Sequence, residues 1–117
     1  MASPEAEQPA PLTPATFHIL LSLAQEVAHG YHIKRMVEER TGGAVRLGAG
    51  TLYAGIRRMA GEGLIEETDP PPGIEAEANE RWRFYSITAK GRLALEAEVD
   101  RLEADLEAAR SVVPRTA

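Results

Sequence analysis

Gly50-Thr51-Leu52-Tyr53-Ala54-Gly55-Ile56-Arg57-Arg58-Met59, running on into Gly63-Leu64-Ile65-Glu66, is the stretch that decides the fold. At about 100° per residue, Leu52, Ile56 and Met59 fall within about 60° of one another and form one apolar stripe. The opposite side carries Gly50, Ala54, Arg57, Arg58 and Gly61. Small residues let a helix approach another surface closely, and arginines supply charge and forked donors for phosphates or base edges. A helix over 49–61 followed at once by a strand is what a DNA-reading winged helix-turn-helix requires. Taken alone, the same pattern also describes an amphipathic surface helix with two solvated arginines.

The segments on either side extend the pattern. Residues 1–12 are rich in Pro, Ala and acid and read as a tail without fixed structure. Thr13-Pro14 provides an N-cap and a first helical position, and Phe17, Ile19, Leu20, Leu21, Leu23, Ala24 and Val27 predict helix one over 14–27. His29-Gly30 breaks it. Tyr31, Ile33, Met36, Val37 and Arg40 predict helix two, which stops at Thr41-Gly42-Gly43. After the 49–61 helix, Leu64 to Thr68 and Arg81 to Ile87 read as the strands of a hairpin, separated by a loop that opens on Asp69-Pro70-Pro71-Pro72-Gly73.

Thr88 then caps a last helix in which Leu95, Val99, Leu102, Leu106, Ala109 and Val113 recur at heptad spacing. Such a helix has more length than a small domain can cover. Its stripe packs either on helix one of the same chain or on a second copy, and the dimer is the preferred reading. The expected class is mainly α with a small β-hairpin. Its parts are a tail over 1–12, a winged helix-turn-helix over 13–87, a dimerisation helix over 88–113 and a short tail over 114–117.

Composition narrows the function classes. The 117 residues hold no cysteine, so disulfides and thiolate metal sites are excluded. No apolar run approaches the length of a membrane span and no signal peptide is visible, which leaves a cytoplasmic location as the default. Net charge is −5, unusual for a nucleic-acid binder. The excess lies at the two ends, however, and residues 13–92 hold ten acids and ten bases. A neutral domain binds DNA if its bases share one face. His29 and His32 lack the partners of a metal site, no serine sits in a nucleophile motif, and no phosphate loop follows a strand. Neither an enzyme nor a cofactor is expected.

Three blocks carry a closer resemblance. His29-Gly30-Tyr31-His32-Ile33, then Gly50-Thr51-Leu52-Tyr53 with Ile56, Arg57, Met59 and Glu62-Gly63-Leu64-Ile65, then Arg83-Phe84-Tyr85-Ser86-Ile87-Thr88-Ala89-Lys90-Gly91, resemble in order the PadR family of bacterial transcriptional regulators. The match covers about 15–110, and the single last helix resembles the short members. The resemblance implies a homodimeric repressor on an inverted repeat of double-stranded DNA, released in many members by a small hydrophobic effector. It places Thr51, Tyr53, Arg57 and Arg58 where members meet DNA. Tyr53 either bonds a phosphate or fills the seam between helices two and three. Arg46, Lys34 and Arg35 are further candidates for the DNA backbone, and Arg81 and Arg83 for a phosphate beside the wing. Phe17, Leu21, Leu95, Val99, Leu102, Leu106 and Ala109 are the candidate dimer residues, and the first four also suit the wall of an effector pocket. The wing departs from the pattern, with Asp69, Glu75, Glu77 and Glu80 and no base among them. The rival reading is a winged-helix protein-interaction module that does not bind DNA.

Overall fold

The computed structural model describes residues 9–73 and 82–115. Its elements are α1 (Pro14–Gln25), β1 (Ala28–His29), α2 (Gly30–Arg40), α3 (Ala49–Gly61), β2 (Ile65–Thr68), β3 (Phe84–Ile87) and α4 (Ala89–Val112). Helix α3 has the limits the sequence predicts. The hairpin, by contrast, is part of a three-stranded antiparallel sheet of order β1-β3-β2. In it Ala28 pairs with Tyr85 and His29 with Phe84, while Ile65 to Thr68 pair with Ile87 back to Phe84. Helix α1 therefore ends two residues earlier than the apolar pattern suggests, because Ala28 and His29 are drawn into the sheet.

Local chemistry fixes most element ends. Thr13, His29 and Thr88 each accept a hydrogen bond from the backbone N–H three residues on, capping α1, α2 and α4. At the end of α3, Gly63 has φ 78°, a left-handed conformation that glycine adopts without strain. Leu64 N–H then donates to the Met59 carbonyl and Gly63 N–H to the Ala60 carbonyl, a Schellman closure that turns the chain straight into β2.

The core forms where the three short helices meet. Ile19, Leu20 and Leu23 of α1, Ile33 and Val37 of α2, and Leu52, Ile56 and Met59 of α3 are buried together, and Ile65, Ile87 and Leu95 close the sheet side. Each such side chain contributes about 1.5–3 kcal/mol through removal from water. A polar cluster ties α1 to α2: Arg40 donates to Ser22 Oγ (2.7 Å) and to His18 Nδ1 (3.1 Å). Glycine is required sterically at the root of α4, since a Cβ on Gly91 would run into the Leu64 carbonyl and lie 2.8 Å from Ile87 Cγ1.

Two placements differ from what the sequence pattern suggests. Residues 9–12, read as part of an unstructured tail, lie along α4: Leu12 N–H donates to Glu98 Oε1 (2.9 Å), and Arg101 donates to the Pro9 and Ala10 carbonyls (both 3.3 Å). A carboxylate that is itself buried supplies the partner that proline-rich composition does not predict. Leu95, read as a dimer residue, is 8% exposed and belongs to the chain's own core. Residues 1–8 and the wing acids Glu75, Glu77 and Glu80 lie outside the described residues.

Candidate nucleic-acid interface

Helix α3 is the only one of the four described helices without a side-chain cap. Its N-cap is Gly48, so no side chain satisfies the first backbone N–H groups, and residues 48–51 are all exposed. Uncapped donors at the positive end of a helix suit an anionic oxygen. Ala54, Arg57 and Gly61 continue the exposed face. Arg57 makes no hydrogen bond or ion pair with any other described residue.

Arg58 behaves differently although it is the next residue. A step of about 100° turns it toward α1. There its Nη2 donates to Thr16 Oγ1, and its Nε lies 3.5 Å from Glu62 Oε1. Tyr53 rests its ring on the start of α2: a Cβ on Gly30 would lie 2.8 Å from Tyr53 Cε1 and Oη. The ring thus lies against the α2–α3 seam, while the residue as a whole is 45% exposed.

The remaining candidates are spread around this face. Arg46, exposed just ahead of α3, donates from Nε to the Gly43 carbonyl (3.3 Å). On α2, Lys34 is half-buried and Arg35 forms an exposed pair with Glu39 (3.4 Å). Arg83 reaches across the sheet to Glu67 (3.0 Å), a surface pair that water and salt weaken. Thr51 is exposed in the first turn of α3, and Arg81 lies outside the described residues.

One feature of this region leaves no trace in the local sequence. The Trp82 indole stacks on the His29 imidazole, centroids 4.0 Å apart and planes 19° apart, with Phe84 edge-on at 5.2 Å. His29 Nδ1 also accepts the His32 N–H that begins α2. Burial lowers the His29 pKa, and nearby His32 lowers it further. His18 is likewise lowered by burial and then by the Arg40 charge. No group of three or more His, Cys, Asp or Glu that could hold a metal occurs among the described residues.

The candidate dimer residues divide along α4. Gly91, Ala94, Leu95 and Glu98 are buried in the chain, whereas Leu102 (43%) and Leu106 (54%) are exposed, as are Val99 and Ala109. Phe17 and Leu21 are half-buried on α1 at the edge of the core. Among the described residues no helix is long and apolar enough to cross a membrane.

Comparison with known proteins places this geometry. Residues 19–97 match the Transcriptional regulator PadR-like family. The chain belongs to that family. Its members are transcriptional regulators and not enzymes. Among solved structures, a PadR family transcription regulator from Clostridium difficile R20291 is similar at 22% identity and a TM-score of 0.71, over 86% of this chain and 99% of that one. A transcriptional regulator from Clostridium thermocellum is similar at 20% identity and a TM-score of 0.68, over 83% and 87%. The RosR protein of H. salinarum shares 30% identity with this PadR-like chain over 91% of it and 81% of the other, with a TM-score of 0.56. No curated protein matches the chain.

Proposed function

We propose that this PadR-like chain is a homodimeric repressor that docks α3 in the major groove of an inverted-repeat operator. The observation that carries the reading is the exposed face of α3: small residues, an uncapped N-terminus, and Arg57 uncommitted to any described neighbour. Arg57 is the residue with reach and free donors for a base edge or phosphate. Arg46 and Thr51 stand at the same end of α3, and Lys34 and Arg35 on the adjoining helix hold the backbone. Arg81 and Arg83 serve the flank by the wing. Arg58, turned to Thr16, is left out of the contact set, and Tyr53 contributes by setting the angle between α2 and α3.

The exposed apolar stripe from Val99 through Leu102, Leu106 and Ala109 supports self-association through α4. A second copy of the same helix offers the matching surface. Two α3 helices related by that axis read half-sites about 10 base pairs apart, or a multiple of that. A small apolar effector that releases the DNA completes the reading.

Fluorescence anisotropy on labelled duplex from upstream of the chain's own coding region tests it, against scrambled duplex and at two salt concentrations. The expected result is salt-sensitive binding that prefers the native duplex and weakens in Arg57→Ala. Absence of binding at low salt would overturn the reading in favour of a protein-interaction module.

A further inference from the structure

Both ends of α2 are held by histidines, and both act through the same ring atom. At the start, His29 Nδ1 accepts the His32 N–H (3.2 Å). In the last turn, Arg40 donates from Nη1 to His18 Nδ1 (3.1 Å) and from Nη2 to Ser22 Oγ (2.7 Å). A backbone N–H and a guanidinium can only donate, so each Nδ1 is an acceptor and each ring is neutral, its proton on Nε2. An imidazolium carries a hydrogen on both nitrogens, and no turn of the ring restores an acceptor. One proton on either ring therefore removes a bond that holds an end of α2.

The surroundings sharpen the loss. His29 stands at the N-terminus of α2, where the helix dipole disfavours a cation. Around it are Tyr31 and His32 of α2, Trp82, and Phe84 of β3. Glu26, the carboxylate at the end of α1, pairs with His32 (3.0 Å). The stacked indole keeps the His29 ring in place as it charges. His18 meets Arg40 from α2 and, on its own helix, Phe17 and Ser22, while Gln25 accepts a further Arg40 N–H (3.5 Å). A proton on His18 sets a second positive charge against the guanidinium. Burial lowers both histidine pKa values, with Arg40 adding to the effect on His18 and His32 to that on His29.

Helix α2 is also the seat of α3. The Tyr53 ring rests on Gly30, the first residue of α2, so closely that a Cβ there would lie 2.8 Å from it. Loss of the His29 cap frays the turn under that ring. Loss of the Arg40 tie frees the other end of α2 from α1.

We propose that α2 is a proton-sensitive support: protonation of His18 and His29 in mild acid loosens it within the folded chain and weakens the hold of α3 on DNA. The first half stands on the hydrogen bonds; the second rests on the DNA-binding reading above. Its sign runs against the general trend, because added positive charge otherwise strengthens binding to a polyanion.

Amide hydrogen exchange followed by NMR on the full chain, corrected for the intrinsic pH dependence of exchange, tests the support. The His18 and His29 ring signals are titrated in the same samples. Protection of α2 amides is expected to fall about tenfold, relative to those around Leu95 in α4, as the two rings titrate, about the worth of one helix cap. The double variant His18→Asn/His29→Asn keeps an acceptor at each position and takes no proton, so its α2 protection stays level. If that variant does not fold, the wild-type titration decides by itself, since ring and amide signals are read together. Duplex affinity, by anisotropy at constant ionic strength, is expected to fall about tenfold over the same titration in wild type and to stay level in the variant.

Unchanged α2 protection while both rings titrate, the same fall in the double variant, or global unfolding before either ring titrates would overturn the support. Duplex affinity that holds or rises while α2 loosens would overturn the coupling. Failure to bind any duplex at any pH would remove the functional reading, while hydrogen exchange would still judge α2.

Discussion

Replacing Gly91 with alanine measures how tightly α4 is seated on the wing. The added Cβ falls inside the 3.0 Å that real Cβ atoms do not breach, and its nearest neighbours are the Leu64 carbonyl, which is backbone, and Ile87 Cγ1. A flexible side chain can swing away from such a contact; a carbonyl at the end of a Schellman turn cannot. Overpacking costs about 1–3 kcal/mol, and a rigid wall places this case at the upper end. Retreat of α4 also stretches the Thr88 N–H to Leu64 carbonyl bond, now 3.0 Å, for about another 1 kcal/mol. Against this, alanine gains about 1 kcal/mol of helix propensity over glycine. The net is a loss of about 3 kcal/mol, or a fall in Tm of roughly 10–20 °C for a domain of this size. Gly50→Ala is the control: nothing lies within 4 Å of its Cβ, and the same propensity gain goes unopposed. Urea melts followed by circular dichroism should order the three proteins Gly50→Ala, wild type, Gly91→Ala, from most to least stable. A Gly91→Ala protein as stable as wild type would refute the close approach of α4 to Leu64.

Other outcomes follow from the same geometry. Arg57→Ala is expected to cost about 1–3 kcal/mol of duplex affinity, and a phosphate role instead of a base contact would reveal itself as a shallower salt slope with unchanged sequence preference, read by anisotropy. If the chain self-associates through α4 as proposed, Leu102→Asp is expected to leave a folded monomer, because Leu102 is 43% exposed and is not one of the core residues; sedimentation equilibrium showing a dimer of the variant would place the interface elsewhere. Stability should depend on pH through His18 and His29, whose folded pKa values lie below the ordinary 6.5. The unfolded chain then binds more protons, so stability is full above about pH 6.5 and falls as pH drops toward the folded values. His29→Asn, which keeps an acceptor for the α2 cap, should flatten that slope. Glu98 adds a second loss in stronger acid: the Leu12 N–H and then Arg101 lower its pKa, so its contribution holds above about 4.5 and disappears as pH falls through the lowered value.

Much of this architecture was legible in the chain, and the exceptions share a cause. Helix α3 was readable to its limits because its apolar period ends on Gly61-Glu62-Gly63, and Gly63 is the residue that makes the turn. Strand β1 was not, since two residues have no period and their pairing partner lies more than fifty positions away. Arg57 and Arg58 are indistinguishable as letters; only the passage of α1 beside Arg58 separates a guanidinium tethered to Thr16 from one with no partner among the described residues. Leu95 and Leu102 occupy the same stripe, and the pattern cannot tell where the body of the domain stops and the exposed stripe begins. The seating of residues 9–12 is not legible because composition reports what a segment can bury by itself, not that Glu98 accepts the Leu12 N–H.

The His29–Trp82 stack gives the protein an optical signal of its own. Trp82 is the sole tryptophan, so all indole emission comes from one ring in van der Waals contact with an imidazole. An imidazolium is a better electron acceptor from an excited indole than neutral imidazole, and both quench only at close range. Emission from the unlabelled chain therefore reports two events in one trace: the proton on the α2 cap, and any separation of the strand after the wing from the turn before α2. A duplex that shifts that strand announces itself in fluorescence, with no dye attached to either partner.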